Sequence, residues 1–132
     1  MSFDYFQTID NDTNNGFVEN YQAEFGSSAG VDTVGVAMYN AGHMFAQAAN
    51  EVGSVNTDDI ISGLEGLSHT GPQGDVTMRE QDHQMVLPSY LVRVPEDWSD
   101  SSDFEGMFEI IDSQSSVTPQ TANCDFPLSK SE

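Results

Sequence analysis

The sequence is poor in cysteine, in basic residues and in long apolar runs. Cys124 is the single cysteine among 132 residues, so no disulfide can form within the chain and no cysteine cluster can hold zinc. No apolar run is long enough to span a membrane, and we predict no membrane insertion. Residues 1–4 have neither a basic n-region nor an apolar h-region, so the sequence predicts no export signal there.

The shortage of basic residues gives the chain a strongly negative charge. Three Lys and Arg residues face 22 Asp and Glu residues, for a net charge of -19. Such a field repels nucleic acid and anionic membrane surfaces, which excludes both as partners. The acids are scattered along the chain and do not form a like-charged tail. At molar salt the Debye length falls to about 3 Å, so we expect a halophilic source and folding that requires high salt.

The spacing of apolar residues predicts three helices. The first follows a turn at 10–13 that offers an N-cap, and Gly26 ends it. The second begins at Asp32 or Thr33 and ends at Gly53, and the third follows a capping segment at 56–59. The residues expected on the buried faces are Phe17, Val18, Tyr21 and Phe25 in the first helix, Val34, Met38, Ala41, Phe45, Ala48 and Val52 in the second, and Ile60, Ile61, Leu64 and Leu67 in the third.

β-branched and aromatic runs predict four strands, at 3–9, 76–79, 86–94 and 107–111. Residues 68–74 are predicted to form a loop, 80–83 a hairpin turn, and 95–105 an acidic loop that holds Trp98. The order is therefore one strand, three helices and three strands, which indicates an α/β fold with helices packed on a small sheet. Four strands hardly make a complete two-layer core, so the sheet is expected to be incomplete.

Several short motifs occur in a fixed order along residues 3–111. They are Tyr5-Phe6-Gln7-Thr8-Ile9-Asp10, the helix of Asn14 to Tyr21, the helix with Tyr39, Ala46, Ala48 and Ala49, Gly53-Ser54, Pro72-Gln73-Gly74-Asp75-Val76, Asp82-His83, and Gly106 to Ile110. In this order they resemble the C-terminal part of a periplasmic-type (type I) solute-binding protein of an ABC importer. Within that superfamily they are most similar to the urea and short-chain-amide binding branch.

The resemblance implies a partial Venus flytrap fold, with residues 3–111 as the C-terminal portion of the solute-binding domain. Residues 112–132 are rich in Ser, Thr, Gln and Pro and are expected to be a poorly ordered tail. The implied partners are a small polar solute, urea or an amide, bound together with the missing lobe, and an ABC permease. The implied place of the full-length protein is the extracytoplasmic cell surface, whereas this chain alone, without an export signal, is expected to be cytoplasmic.

The resemblance also directs attention to two tyrosines as ligand-binding candidates. Binding an amide needs hydrogen-bond donors, acceptors and aromatic walls, and it needs no catalytic residue and no cofactor. Tyr5 and Tyr39 could each supply a hydroxyl and a ring. The alternative for Tyr5 is a hinge-strand residue, and the alternative for Tyr39 is a packed helix residue.

Other combinations of reactive residues are weak. His43, His69 and His83 have no compact metal-ligand spacing, so no metal site is predicted. Ser68, His69 and Asp75 lack the strand–turn–helix elbow of a hydrolase, and 71–74 lacks the Lys and Ser/Thr of a phosphate loop. We therefore predict no enzyme activity. Two alternatives to a transport receptor stay open, a cytoplasmic amide-sensing regulatory protein of the same fold and a nonfunctional gene remnant.

Overall fold

The computed structural model describes residues 2–26, 29–99 and 106–114. In chain order the elements are β1 (Ser2–Phe3), α1 (Asp12–Phe25), α2 (Thr33–Val52), α3 (Thr57–Leu64), β2 (Ser68–Gly71), β3 (Gly74–Met78), β4 (Met85–Val86), β5 (Ser89–Arg93) and β6 (Glu109–Gln114). The architecture is mixed α/β, as the sequence predicts. Within these ranges, no helix combines the length and the apolar character needed to cross a membrane.

The strands form two small antiparallel sheets. Sheet A has the order β1-β5-β6, and sheet B has the order β2-β3-β4. In sheet A, Phe3 pairs with Tyr90, and a register shift lies between Leu91 and Val92. In sheet B, β2 and β3 form a hairpin in which Gly71 pairs with Gly74. The predicted single sheet is thus divided in two, with Leu87 and Pro88 as the connection between them.

The helix ends follow the predicted capping chemistry. The side chain of Asn11 accepts a hydrogen bond from the backbone N–H of Asn14 at the start of α1. The side chain of Asp32 accepts one from Gly35 at the start of α2. Gly53 ends α2 in the left-handed conformation, with φ of 66°, a region that glycine adopts without steric cost.

Two apolar clusters form the core. The first surrounds sheet A and the start of α2, and its buried members are Tyr5, Phe6, Ile9, Val31, Val36 and Val92. The second lies between α2 and sheet B, and its buried members are Met44, Ala48, Leu67 and Val76. Helix α2 therefore contributes to both clusters and joins the two halves of the described structure.

The predicted buried face of α2 is wrong. Val34, Met38 and Phe45 are 68%, 69% and 51% exposed, and Ala41 is also exposed. Of the predicted stripe, only Ala48 is buried. The residues that α2 buries are Val36, Asn40, Met44 and Ala48. This face packs because the β2–β3 hairpin lies against it and because Asn40 hydrogen-bonds to Gln73 in that hairpin.

The predicted faces of the other two helices are confirmed in part. In α1, Phe17, Val18 and Tyr21 pack half-buried against the first cluster, whereas Phe25 is 66% exposed. The fully buried residue of α1 is polar, Asn14. After α2, the buried positions Ile60 and Leu67 are as predicted, and Ile61 is 40% exposed.

The strand predicted at 3–9 is wrong beyond Phe3, because β1 ends there and the chain turns. The reason is that the Asn14 side chain donates to the backbone carbonyls of Gln7 and Ile9, which a strand would use in a ladder. The loop predicted at 68–74 is also wrong, because Ser68–Gly71 is strand β2. The sequence of β2 lacks the alternating apolar residues that indicate a strand, so its strand conformation depends on pairing with β3.

The later strands are shifted relative to the prediction. Strand β3 ends at Met78, one residue before the predicted end, and the turn predicted at 80–83 is confirmed, with His83 at φ 55°. The strand predicted at 107–111 runs from Glu109 to Gln114. Residues 112–114 of the predicted tail therefore belong to β6. Residues 100–105 of the predicted acidic loop and residues 115–132 of the predicted tail lie outside the described residues.

Candidate functional site

A buried asparagine, Asn14 of α1, fixes the chain between β1 and α1, which we call the junction segment (residues 4–11). Asn14 is 0% exposed. Its Oδ1 accepts from the Tyr5 hydroxyl at 2.9 Å, and its Nδ2 donates to the carbonyls of Gln7 at 2.8 Å and Ile9 at 2.7 Å. A buried amide left without hydrogen bonds destabilises the fold. The Asn14 side chain makes three hydrogen bonds, all to groups of the junction segment.

The turn of the β2–β3 hairpin, Pro72–Gln73, is the point where the elements meet. Asn11 Nδ2 donates to the carbonyl of Pro72 at 3.0 Å. Asn40 Nδ2 donates to Gln73 Oε1 at 2.9 Å, and the Tyr90 hydroxyl donates to the carbonyl of Gln73 at 2.7 Å. The turn thereby joins the cap of α1, the middle of α2 and strand β5 of sheet A.

Glycine is required on both sides of this turn. A Cβ at position 71 would lie 2.2 Å from Oδ1 of Asn40, far closer than real contacts allow. Gly74 has φ of +106°, a conformation that side chains rarely adopt. The two glycines allow the hairpin to approach α2 closely enough for the Asn40–Gln73 hydrogen bond.

The two tyrosines of this network are neutral hydrogen-bond donors. Burial raises the pKa of the Tyr5 hydroxyl well above its usual value, and burial also raises the pKa of Tyr90. Both hydroxyls therefore keep their protons throughout the physiological range. Tyr5 is 3% exposed, and its hydroxyl already has Asn14 as a partner.

The second candidate, Tyr39, lies in a different set of contacts. Its ring centroid is 4.7 Å from that of Phe17 on α1 and 4.3 Å from that of His43 one turn along α2. Tyr5 packs in the cluster around sheet A, whereas Tyr39 is half-buried between α1 and α2. Neither position settles whether the residue contacts a ligand, and both ligand roles stay predictions.

The three histidines are separated into two groups. His43 and His69 stack with ring centroids 5.4 Å apart and planes 14° from parallel. Burial, and then the neighbouring His43, lower the pKa of His69, so its ring is held neutral. His83 Nε2 lies 3.0 Å from Glu65 Oε1, apart from the other two histidines. Across the described ranges, no three potential metal ligands lie close together.

The turn after β3 is stabilised by an ion pair. Arg79 is 7% exposed and binds Asp82 and Gln84 through its guanidinium group. The hydrogen bond from Arg79 holds the pKa of the Asp82 carboxyl below its usual value. This arrangement shapes the hairpin and leaves the Asp82-His83 pair, part of the family-like motif, in a structural role.

Two open cavities border the junction segment. The first, of about 390 Å³, lies between the segment and the start of α2, and its apolar walls include Phe3, Tyr5, Phe6, Val31 and Phe108. The second, of about 540 Å³, lies beside α1 and is lined by Gln7, Thr8, Asp10, Asn15, Val18, Glu19 and Gln22. The first can exclude water from an apolar group. The second offers amide and carboxylate groups that can accept N–H donors.

Sequence reasoning missed the residues that organise this region, Asn14, Asn40 and Gln73. The signal in the sequence that points to two of them is their spacing from neighbouring apolar residues. Asn14 lies three residues before Phe17 on the same face of α1, and Asn40 lies four residues from Val36 and from Met44 on α2. A single amide within an otherwise apolar face is the signature of a buried, hydrogen-bonded side chain.

Comparison with known proteins adds a family and a fold. A family model described as periplasmic binding protein matches residues 1–101. A comparison with curated proteins found no match.

Three solved structures illustrate the similarity. An amino acid ABC transporter substrate-binding protein from Pseudomonas fluorescens Pf-5 superposes with a TM-score of 0.75 at 21% identity, over 92% of this chain and 32% of that one. The leucine-, isoleucine-, valine-, threonine-, and alanine-binding protein from Brucella ovis superposes with a TM-score of 0.70 at 24% identity, over 90% of this chain and 32% of that one.

A solute binding protein of an ABC transporter from Rhodopseudomonas palustris BisB5, in complex with 3,4-dihydroxy benzoic acid, superposes with a TM-score of 0.72 at 19% identity. The superposition covers 88% of this chain and 30% of that one. The chain thus spans about a third of the length of these proteins. At these identities the similarity shows the fold, which confirms the partial solute-binding architecture predicted from the sequence motifs.

Proposed function

Because the chain belongs to the periplasmic binding protein family, we propose that it serves as part of the substrate-binding component of an ABC importer. The observation that supports this role is the network at Pro72–Gln73, which joins the cap of α1, the middle of α2 and strand β5 of sheet A. Hydrogen bonds that fix the relative positions of elements lower the ordering cost of binding a solute. The remainder of the binding cleft comes from the two thirds of the fold outside these residues.

We propose urea, short amides or related amino-acid-like solutes as the ligand class. The support is the resemblance of the motifs to the amide-binding branch, together with the cavity beside α1, where amide and carboxylate side chains meet. Such groups pair with both the N–H and C=O ends of an amide. The similar structures include a protein named for binding amino acids and one in complex with an aromatic acid, so the test below compares these ligand classes with amides.

Tyr5 and Tyr39 have different proposed roles in binding. The Tyr5 hydroxyl is bonded to Asn14, so Tyr5 would contribute its ring edge to the apolar cavity and would position the junction segment. Tyr39 is half-buried and would offer its ring or hydroxyl from α2. Neither role involves bond breaking, in keeping with a family of binding proteins that acts together with a permease outside the cytoplasmic membrane.

The direct test is solute uptake by cells that carry or lack this chain. Initial rates of radiolabelled urea, acetamide, leucine and 4-hydroxybenzoate uptake would be measured in the parent strain, a deletion strain and a complemented strain. We expect urea or acetamide uptake to fall to the background rate in the deletion strain and to recover on complementation. Unchanged uptake of all four solutes would contradict an import role, and selective loss of leucine or 4-hydroxybenzoate uptake would contradict the amide assignment.

We also propose that the protein works in a salt-rich medium. The charge of -19 is spread along the chain, so self-repulsion opposes compaction until salt screens it. Far-ultraviolet circular dichroism should show increasing helix content between dilute buffer and molar KCl. A spectrum that does not change over this range would contradict the proposal.

A further inference from the structure

Two histidines stack on each other where α2 meets strand β2. Their ring centroids are 5.4 Å apart, and the ring planes are 14° from parallel. His43 is exposed on α2 and also packs on Tyr39, with ring centroids 4.3 Å apart. His69 is half-buried in β2. Because histidine is the side chain whose charge changes near neutral pH, this stack is a contact whose charge can change in mild acid.

The surroundings of His69 offer no partner for an additional proton. Nε2 of His69 is buried, and no group among the described residues hydrogen-bonds to it. A protonated imidazole has an N–H group on each ring nitrogen, and a buried charged group without a partner is strongly unfavourable. Burial and the adjacent His43 both lower the pKa of His69, in agreement with this geometry.

The elements packed around His69 bring no opposite charge to its ring. On β3 the residue paired with His69 is Val76, which is 0% exposed, so both side chains face α2. The carboxylate of β3, Asp75, pairs with Thr70 and accepts a hydrogen bond from its hydroxyl at 2.6 Å on the opposite, exposed face. Helix α1 contributes the uncharged ring of Phe17 to the same group of aromatic contacts. The charge that acts on His69 is therefore the positive charge of the other histidine.

The stack lies next to the hydrogen bond that holds the hairpin turn on α2. Asn40 lies about one turn before His43 on α2, and Gln73 lies four residues after His69. Asn40 Nδ2 donates to Gln73 Oε1 at 2.9 Å. Strand β2 is an edge of sheet B, so on its other side it depends on α2 for contacts. A movement of the hairpin that lets water reach His69 therefore also separates Asn40 from Gln73.

We propose that His43 and His69 form an acid-sensitive latch, which holds the β2–β3 hairpin on α2 at neutral pH and releases it in mild acid. A proton on His69 requires water at its buried nitrogen and places a positive charge against a protonated His43. Both requirements are met when the hairpin separates from α2. The consequence for binding rests on the proposed receptor function. A released turn at 72–73 no longer fixes the cap of α1 and strand β5, so solute affinity falls in acid.

Hydrogen–deuterium exchange of the purified chain at high salt tests the latch. Protection of the peptide 68–78 would be measured at pH 7 and pH 5, each time relative to the unfolded chain at the same pH. We expect this protection to fall about threefold or more between the two pH values. His69→Phe keeps a ring in the stack and cannot take up a proton, so its protection should change much less. Unchanged protection in the wild type, or an equal loss in His69→Phe, would overturn the proposal.

Two further variants keep the test decisive if His69→Phe does not fold. His43→Phe keeps the stacked ring and removes the neighbouring charge, so its loss of protection should be smaller than that of the wild type. A loss equal to that of the wild type would overturn the role of the pair. As the matched control, His83→Gln removes a histidine that pairs with Glu65, and it should show the wild-type loss. A smaller loss in this control would assign the response to His83 and overturn the proposal.

Uptake measurements separate the latch from the receptor assignment. In cells, initial acetamide uptake should fall less between pH 7 and pH 5 with His69→Phe than with the wild type. An equal fall in both strains would overturn the effect of the latch on binding. Failure of the import role would leave the hydrogen-exchange results unchanged, because they are obtained without solute.

Discussion

The two apolar faces of α2 differ in a way that hydropathy alone does not predict. The inner face, with Val36, Met44 and Ala48, includes the polar residue Asn40, yet it is buried. The other face, with Val34, Met38 and Phe45, has no polar member and is exposed. Burial on this helix thus coincides with the hydrogen bond between Asn40 and Gln73 and with the close approach at Gly71, and not with apolar content. Polar anchors can therefore select which of two apolar faces packs locally.

The comparison is sharpest at two adjacent residues of α2, Met44 and Phe45. Met44 is 1% exposed and Phe45 is 51% exposed. Met44→Ala should lower the free energy of unfolding of the purified chain by about 3 kcal/mol, because it removes buried contacts and leaves a cavity. Phe45→Ala should change it by less than about 0.5 kcal/mol. Urea denaturation at high salt measures both, and equal losses would remove the distinction between the faces.

A smaller effect is expected at the contact that selects the inner face. Gly71→Ala should lower the free energy of unfolding by about 2 kcal/mol, because the new methyl group displaces the buried amide of Asn40. As the matched control, Gly42→Ala on the exposed side of α2 meets nothing within 4 Å. It should stabilise the helix by about 0.5–1 kcal/mol.

The loss of stability caused by Gly71→Ala should depend on the side chain of Asn40. In an Asn40→Ala background the crowding is relieved, so Gly71→Ala should cost clearly less than in the wild type. Additive losses in the double variant would mean that Asn40 and Gly71 act independently, contrary to the proposed selection of the inner face. Chemical denaturation of the wild type, the two single variants and the double variant measures the four free energies of unfolding.

The smallest expected effect concerns the imidazole stack between α2 and β2. The pKa of His69 is lowered in the folded state by burial and by His43, so the unfolded chain binds more protons than the folded one below about pH 6.5. The contribution of His69 to stability is complete above that pH and decreases as the pH falls. His69→Gln should therefore reduce the loss of stability between pH 7 and pH 5. An identical dependence of stability on pH in both proteins would contradict a lowered pKa of the half-buried His69.

The ends of the helices were predicted better from the sequence than the strands were, for a physical reason. Helix starts and ends are local, so Asn11, Asp32 and Gly53 mark them through their own side chains or conformations. Strand β2 has a polar sequence that becomes a strand by pairing with β3, and the junction segment is prevented from being a strand by Asn14, five residues beyond Ile9. Such partners are not visible in a window of adjacent residues.

Prediction of the candidate site was limited in the same way. The motif containing Pro72 and Gln73 was recognised as part of a family-like order, but its contacts with Asn11, Asn40 and Tyr90 join residues far apart in the chain. Hydrogen bonds over such separations depend on the fold and not on local spacing. The ligand roles of Tyr5 and Tyr39 stay predictions.

Methionine oxidation tests most directly whether the two apolar faces of α2 differ in burial. Met38 and Met44 lie on the same helix, 69% and 1% exposed. In the purified chain, peroxide should oxidise Met38 much faster than Met44, as measured by mass spectrometry. The account predicts that the two rates become similar when the chain is unfolded in urea. Equal oxidation rates of Met38 and Met44 in the folded chain would contradict it.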